Sequence, residues 1–422
     1  MKVHPPYHIT HLKLDTQPLV ADINTEQKGN YLVFWWKQIP LGHLIINPEE
    51  KLTNTDFYNK VIGALQPAIQ YYINQQNASA PDMPDWTIWL INQDVAAWNT
   101  WMEDLLGSYI PTAIPAQVPV SVVICTRNRA PDLKVCLQML KLLVCQPEEI
   151  LVVDNAPTDT STHDVVAQFA GVTYLKEPRP GLDIARNCGI VNAKTPIVAY
   201  VDDDVEVDPL WVYRVWEAFK DPQTAAITGL VLAAELQTEA QFLFERYWSF
   251  NRGYVDKVYG KDYFEQTLPY GPPIWEIGAG ANMAFRKAVV EEVGLFDERL
   301  DVGAAGCNGD SEMWFRILYH KHTIRYMPRA VVYHKHRRNL EALDKQLFSY
   351  MRGHTAAALI QQHLCKEAGY KRYIFWELPK WYLKMFRRGF PRYKSRYRLL
   401  GTELSGFGSG IMFYLKNRKE KV

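Results

Sequence analysis

Several absences narrow what this chain can be. No run of 18 apolar residues occurs, so no membrane-spanning helix is expected. The opening residues, MKVHPPYHIT, contain no apolar h-region, so no secretory leader is visible. The six cysteines (Cys125, Cys136, Cys145, Cys188, Cys307 and Cys365) form no C-x-x-C pair and no regular framework. That argues against disulfides and for a reducing compartment. Repeats and low-complexity segments are also lacking. A cytoplasmic protein is the expectation that follows.

Excess charge of one sign is missing too, with a formal net charge of +1, but the distribution is uneven. From Lys366 to Val422 there are 15 Lys and Arg against 4 Asp and Glu, a tail of +11, so the preceding residues carry −10. The chain is an acidic body with a basic tail. At 422 residues and 48% hydrophobic content it has material for a sizeable core and for two or three domains.

Residues 1 to 115 read as an N-terminal α+β module. YLVFWWKQIPLGHLIIN (Tyr31 to Asn47) is rich in aromatic and β-branched residues and predicts strands about a Pro-Leu-Gly turn. DFYNKVIGALQPAIQYYI predicts a helix interrupted or kinked near Pro67, and a second helix is expected over Gln93 to Leu106. NASAPDMPD (Asn77 to Asp85) reads as a loop, and the three prolines of IPTAIPAQVP (Ile110 to Pro119) read as a linker. Strand and helix then alternate: VSVVIC, PDLKVCLQMLKLL, EILVVD, TSTHDVVAQFA, VTYL, GLDIARNCGIVNA and PIVAYVD. This rhythm predicts a doubly wound, mostly parallel sheet with helices on both faces, an α/β domain over residues 116 to 355. Residues 356 to 422 read as a basic, aromatic helical region.

Such sheets bind ligands beyond the carboxyl ends of their strands. Polar residues collect there: TRNR (Thr126 to Arg129), DNAP (Asp154 to Pro157), KEPRPG (Lys176 to Gly181) and DDD (Asp202 to Asp204). The glycine-rich G-x-G-x-x-G that cradles a dinucleotide is missing after the first strand, where CTRNRAP stands, so a nicotinamide or flavin enzyme is excluded. In an extended segment Asp202 and Asp204 would share one face and Asp203 the other. Two carboxylates ~4 Å apart repel by about 4 kcal/mol at an effective dielectric near 20. A divalent cation relieves that repulsion. All-oxygen ligands favour Mg²⁺ or Mn²⁺, ions that share their shell with substrate phosphates.

With these strand ends in view, the chain resembles the family 2 glycosyltransferases of the GT-A fold, from about Val118 to about Gly353. The motifs VSVVICTRNR, ILVVDNAPTD, EPRPGLDIARNCGI and VAYVDDDVEVDP carry the resemblance. IGAGANMAFRK (Ile277 to Lys287) and FDERLDVGAAGCNGDSEMWFR (Phe296 to Arg316) follow in order. The resemblance implies a nucleotide-sugar donor, with Thr126, Arg127 and Asp154 around the base and Arg186 beside the donor. It implies a D-x-D element at Asp202, Asp203 and Asp204, the first near the ribose and the last on the metal. The catalytic base of the family pattern E-D-x-D/E-L-x-x-R falls on Asp310. Gly309 stands where that pattern has glutamate. An inverting transfer follows from the resemblance, with Asp310 taking the proton of the acceptor hydroxyl and Mg²⁺ or Mn²⁺ stabilising the leaving diphosphate.

Other residues carry alternative readings. Asp310 also suits a helix cap, and Glu312 and Arg316 are spaced to brace that helix. His334 and His336 in VVYHKHRR share a strand face, and relatives place a histidine near here on the metal or diphosphate, with His334 the candidate ligand. His320 and His322 fit no zinc spacing. Gly278 and Gly280 would let backbone approach a sugar, Asn282 is the polar side chain of interest beside them, and YWSFNRGYVDKVYG (Tyr247 to Gly260) would line an acceptor site or fill core.

In the tail, RYIFWELPKWYLKMFRRGFPRYKSRYRLL interleaves aromatic and basic residues. It predicts contact with a membrane surface, peripheral at the inner face, or else a helical subdomain packed on the catalytic domain. No nucleic-acid module accompanies it, so nucleic acid is not an expected partner. The expected acceptor is a glycan or a lipid-linked sugar of cell-surface or extracellular polysaccharide synthesis. The competing class is a non-catalytic glycan-binding or assembly protein on the same fold, which has no need of both Asp204 and Asp310.

Overall fold

The computed structural model describes residues 6–20, 28–76 and 85–418. The loop expected over Asn77 to Asp85 lies outside them apart from Asp85, as do the first five and last four residues of the chain. The first sheet joins β1 (Tyr7–Lys13), β2 (Gly29–Trp36) and β3 (Ile39–Ile46). The second, nine-stranded sheet is built from β4 (Gln117–Thr126), β5 (Gln146–Asn155), β6 (Val172–Glu177), β7 (Ile197–Val201), β8 (Val205–Val207), β9 (Thr224–Ala233), β10 (Lys257–Tyr259), β11 (Asn282–Arg286) and β12 (Thr323–His334). Its order is β10-β12-β9-β11-β7-β4-β5-β6, with β8 paired to β12.

The large sheet is mostly parallel because β6, β5, β4 and β7 pair in parallel, and β9 and β12 run the same way. Strand β11 is antiparallel to both neighbours and joins the two parallel groups. The short runs VSVVIC and IVAYV are apolar at every position but Ser121, whose hydroxyl meets that of Thr195, because both faces are covered. Val122, Val152 and Ala199 pack on one face with Leu133, Leu137 and Trp211. Val123, Val153 and Val198 pack on the other with Ala185, Ile190 and Phe315.

The N-terminal sheet is not packed on its own residues alone. Its apolar cluster continues through Leu230, Leu232, Phe242 and Val331 of the large domain, and Tyr7 bridges to Leu236. The helix Asn54–Gln75 runs through Pro67 without interruption and buries Leu65, Ala68 and Ile69 around it. At the other end, the helix Leu340–Leu364 packs closely against Leu400–Asn417. A Cβ at Gly406 or Gly410 would lie 2.4 or 2.5 Å from backbone carbonyl oxygens of the first helix, so only glycine permits that approach. Between them, the helix Leu378–Gly389 buries Leu378, Tyr382 and Met385 while Trp381 and Leu383 stay exposed. Tail aromatics thus pack on the domain along one side and face outward along the other. Among the described residues no helix is long and apolar enough to cross a membrane.

Candidate active site

The carboxyl ends of β4, β5 and β7 open into a cleft of about 1950 Å³. Thr126, Arg127, Arg186, Asp202, Asp203, Asp204, His334 and Asp310 all line it. Asp154 does not. It is fully buried, accepts a hydrogen bond from Tyr174 Oη at 2.8 Å, and leaves Oδ1 without a partner, while Asn155 reaches the cleft. Burial pushes the Asp154 carboxyl above its ordinary range.

The three aspartates do not alternate across an extended strand. They sit in the turn between β7 and β8, and this brings Asp203 and Asp204 to one guanidinium. Arg129 Nη1 lies 2.7 Å from Asp203 Oδ1 and 2.9 Å from Asp204 Oδ2. Thr126 Oγ1 donates to Asp203 Oδ2 at 2.7 Å. Arg129 was therefore the unrecognised residue of the TRNR stretch; nothing in its local spacing marks it. Pairing of β8 with β12 sets Val205 opposite His334, which places His334 Nε2 3.5 Å from Asp204 Oδ1. Asp202, Asp204 and His334 each offer one ligand atom, all within 4.8 Å of one another.

Burial sets the electrostatics of this group. Burial and the Asp204 charge push Asp202 up to about 7, and burial does the same to Asp203 against the pull of Arg129. Asp204 is buried as well, yet His334 and Arg129 hold it below the usual carboxylate range. Burial lowers His334 to about 4, so its imidazole is neutral and can offer a lone pair. Arg129 satisfies Asp203 and one oxygen of Asp204. Asp202, Asp204 Oδ1 and His334 Nε2 remain as a donor set that fits Mn²⁺ or Mg²⁺.

A second group faces the same cleft. Arg186 is buried, not on a helix surface. Its Nη1 lies 2.8 Å from Asp183 Oδ1 and 2.7 Å from Asp301 Oδ2. Asp310 opens the helix Gly309–Tyr319, where Asn308, in the left-handed region at φ 74°, holds the capping position. Asp310 is thus in the first helical turn and is not the cap; its Oδ1 accepts the Ser311 backbone N–H at 2.6 Å. Burial raises its carboxyl pKa against the pull of Arg186. Glu312 and Arg316 do brace the helix. Their ion pair is buried at 2.8 Å, and Arg316 also donates to the carbonyls of Val293, Gly294 and Leu295.

The glycine-rich floor differs from expectation in its partners. A Cβ at Gly280 would meet Arg186 Nη2 at 2.8 Å and Asp310 Oδ2 at 3.0 Å, so this glycine lets those two side chains converge. One at Gly278 would meet Thr228 at 2.4 Å. Asn282 lies away from the cleft. It accepts from Trp211 Nε1 and donates to the carbonyls of Leu230 and Ala330, tying three strands together in the core.

Behind this aspartate–histidine group, His336 Nδ1 lies 3.1 Å from His334 Nδ1, and His336 Nε2 lies 3.0 Å from Glu245 Oε2. Tyr31 of β2 donates its hydroxyl to Glu245 Oε1 at 3.0 Å.

Residues 121–294 match the family model for Glycosyl transferase family 2. The chain is 26% identical over 260 residues to the pre-mycofactocin glycosyltransferase of Mycobacterium tuberculosis, covering 61% of this chain and 51% of the relative. It is 24% identical over 190 residues to the glucosyl-dolichyl phosphate glucuronosyltransferase of Haloferax volcanii, 42% of this chain and 56% of that one. The chain thus spans about half the length of the curated relatives it matches. Among solved structures, it is similar to the mannosyltransferase PcManGT of Pyrobaculum calidifontis, in complex with GDP-Man and Mn²⁺. That match has a TM-score of 0.46 at 18% identity and covers 74% of this chain and 89% of the other. The strand ends and the aspartate turn that line the cleft lie within residues 121–294, the segment similar to glycosyl transferase family 2, and the acid-bearing helix that faces them follows it in the chain.

Proposed function

We propose that this chain is a metal-dependent, inverting glycosyltransferase that moves a sugar from a nucleotide-sugar donor to a hydroxyl of a glycan or lipid-linked acceptor. The observation that carries the reading is the convergence of two separate acid groups, Asp202–Asp204 with His334 and Asp310 with Arg186, on one cleft. A binding protein has no use for both.

Asp202, Asp204 and His334 would hold a Mg²⁺ or Mn²⁺ ion, whose charge stabilises a departing nucleoside diphosphate. Thr126 and Arg129 orient the aspartate turn, and exposed Arg127 meets the donor at the cleft wall. Arg186 and Asp310 both approach Gly280. Asp310 accepts the acceptor hydroxyl proton as that oxygen forms its bond to the anomeric carbon and the bond to the diphosphate oxygen breaks. Attack from the face opposite the leaving group inverts the anomeric centre.

The cleft lining also carries Arg246, Arg252, Lys257, Lys345, Lys380 and Lys384, against Glu276, Glu377 and Glu403. This excess of cations suits an acceptor bearing phosphate, such as a lipid-linked sugar. The relative from Haloferax volcanii, named for a glucosyl-dolichyl phosphate, is in line with that choice. Phe375, Trp376, Leu383 and Phe390 are exposed on the same tail segment, which is how an interfacial segment meets a membrane surface. Synthesis of a cell-surface or extracellular polysaccharide is the process such an enzyme serves.

The test is release of free nucleoside diphosphate from a panel of nucleotide sugars, with Mn²⁺ or Mg²⁺ and with free and lipid-phosphate-linked sugar acceptors. Release by wild type is expected, with loss in EDTA and in Asp204→Ala and Asp310→Ala. Donor binding without turnover across the whole panel would favour the non-catalytic class instead.

A further inference from the structure

Between the helix Glu239–Trp248 and β10, the chain brings two cations to the cleft without an acid between them. Arg252 and Lys257 are both half-buried and both line it. Arg252 Nη1 donates to the carbonyl of Ser249 at 2.6 Å and Nη2 to that of Trp275 at 3.0 Å, while its Nε is buried without a partner. Lys257 Nζ donates to the carbonyl of Arg252 at 2.6 Å. Neutral carbonyls hold both groups in place. Among the described residues neither forms an ion pair.

The neighbouring acids are engaged elsewhere or stand off. Asp256 precedes Lys257, but its carboxylate pairs with Arg329 Nη1 at 2.7 Å, and Arg329 also donates to Tyr72 Oη at 3.2 Å. Glu276 and Asp310 reach Arg252 only as charges beyond contact. Burial lowers the Arg252 guanidinium, and burial together with the Arg252 charge lowers the Lys257 ammonium. Like charges held half out of water without a counterion are costly, and a bound anion relieves that cost. The segment is fixed from behind by the N-terminal unit. Tyr254 is buried, with Oη 2.9 Å from His43 Nδ1 of β3, and Arg329 ties Asp256 to Tyr72 of the helix Asn54–Gln75. Trp275, whose carbonyl Arg252 holds, stands just before the glycines where Asp310 and Arg186 converge. The cation pair therefore belongs to the Asp310 side of the cleft, where the acceptor hydroxyl would lie.

We propose that Arg252 and Lys257 form an anion pocket that takes a phosphoryl group carried by the acceptor, on a wall segment braced by the N-terminal unit. The inference rests on the transferase reading and narrows its lining cations to the two that are half-buried, close together and without an acid. Two adjacent cations match the charge of roughly −1.5 to −2 on a phosphate monoester at neutral pH. A carboxylate, with a single charge, leaves one of them uncompensated. Guanidinium and ammonium donors both form charge-assisted bonds to phosphate oxygens, the first through a planar fork and the second as a point charge.

The experiment titrates the full chain, in EDTA and without donor, with inorganic phosphate, glucose 1-phosphate, isopentenyl phosphate and glucuronate, and reads binding by calorimetry. The three phosphate compounds are expected to bind, and glucuronate more weakly than any of them. In Lys257→Gln and in Arg252→Gln phosphate affinity is expected to fall about 10–100-fold, the size of a lost hydrogen bond to a charged group. Lys257 Nζ bonds only a carbonyl of its own segment, so Lys257→Gln decides the matter even if Arg252→Gln fails to fold. The double variant Lys380→Gln, Lys384→Gln is expected to bind as wild type does. Tighter binding of glucose 1-phosphate identifies a sugar phosphate as the source of the group, and tighter binding of isopentenyl phosphate a lipid phosphate; either supports the pocket. No phosphate binding by wild type, unchanged affinity in a folded Lys257→Gln, glucuronate binding as tight as phosphate, or a loss confined to the tail double variant overturns it. Metal, donor and base take no part in this measurement, so its failure is distinct from a failure to release nucleoside diphosphate.

Discussion

The carboxylate of Asp183 occupies the space that a side chain at Gly309 would need. A Cβ there would lie 1.9 Å from Asp183 Oδ2. The family pattern places a glutamate before the catalytic acid. In this chain an aspartate from another helix, Leu182–Asn192, brings its carboxylate to that place and pairs with Arg186. Gly309→Ala is expected to destabilise the protein by about 1–3 kcal/mol through overpacking. Adding Asp183→Ser should restore part of the loss, because the two sites share one space. Thermal unfolding of the single and double variants checks this, and strict additivity would contradict the shared space.

Asp310→Asn keeps an acceptor for the Ser311 N–H but cannot take a proton. The expected result is a kcat lower by about 10²–10⁴-fold with donor affinity little changed. Steady-state kinetics beside equilibrium donor binding separates the two.

The raised pKa of Asp310 has a sign. The proposed base works when ionised, so activity is expected to rise with pH as Asp310 loses its proton and to fall as pH drops through that raised value. The acid limb of kcat should therefore lie above the ordinary aspartate pKa of about 3.9. It should be absent from the residual activity of Asp310→Asn. A pH–rate profile of both proteins measures it.

Arg129→Ala leaves Asp203 and Asp204 buried beside each other without their shared guanidinium. A loss of about 1–3 kcal/mol is expected in EDTA, with a smaller loss when Mn²⁺ is present, since a bound cation takes over part of the neutralisation. Equal losses under both conditions would count against a cation at Asp204. Denaturant titrations with and without metal make the comparison.

Asn282→Ala removes three hydrogen bonds, from β11 to β9, to β12 and to Trp211. A loss of about 3 kcal/mol is expected, with activity per folded molecule near wild type. This outcome would separate Asn282 from the sugar-facing floor on which its sequence position had placed it.

Much of this molecule is written in local pattern. The apolar runs ending in Thr126, Asn155 and Val201 mark strands, and the polar residues after them mark the ligand edge, because each signal depends on neighbours in one element. The Glu312–Arg316 brace was legible for the same reason: one helical turn sets its spacing. Asp154 and Asn155 show where that legibility stops. They differ by one position, and the phase of the strand end turns Asp154 into the core and Asn155 to the cleft.

The sequence by itself determined the alternating α/β domain, the edge where ligands gather, and the acids Asp204 and Asp310. Only the tertiary structure decided which charges meet. Arg129 reaches Asp204 across 75 positions, Arg186 reaches Asp301 across 115, and Tyr31 reaches Glu245 across 214. It also made the N-terminal sheet part of the core that carries β9 and β12, where the sequence suggested a unit apart. Periodicity fixes the face a side chain takes within one element, but a buried charge is stable only beside its partner, and strand order and packing alone choose that partner.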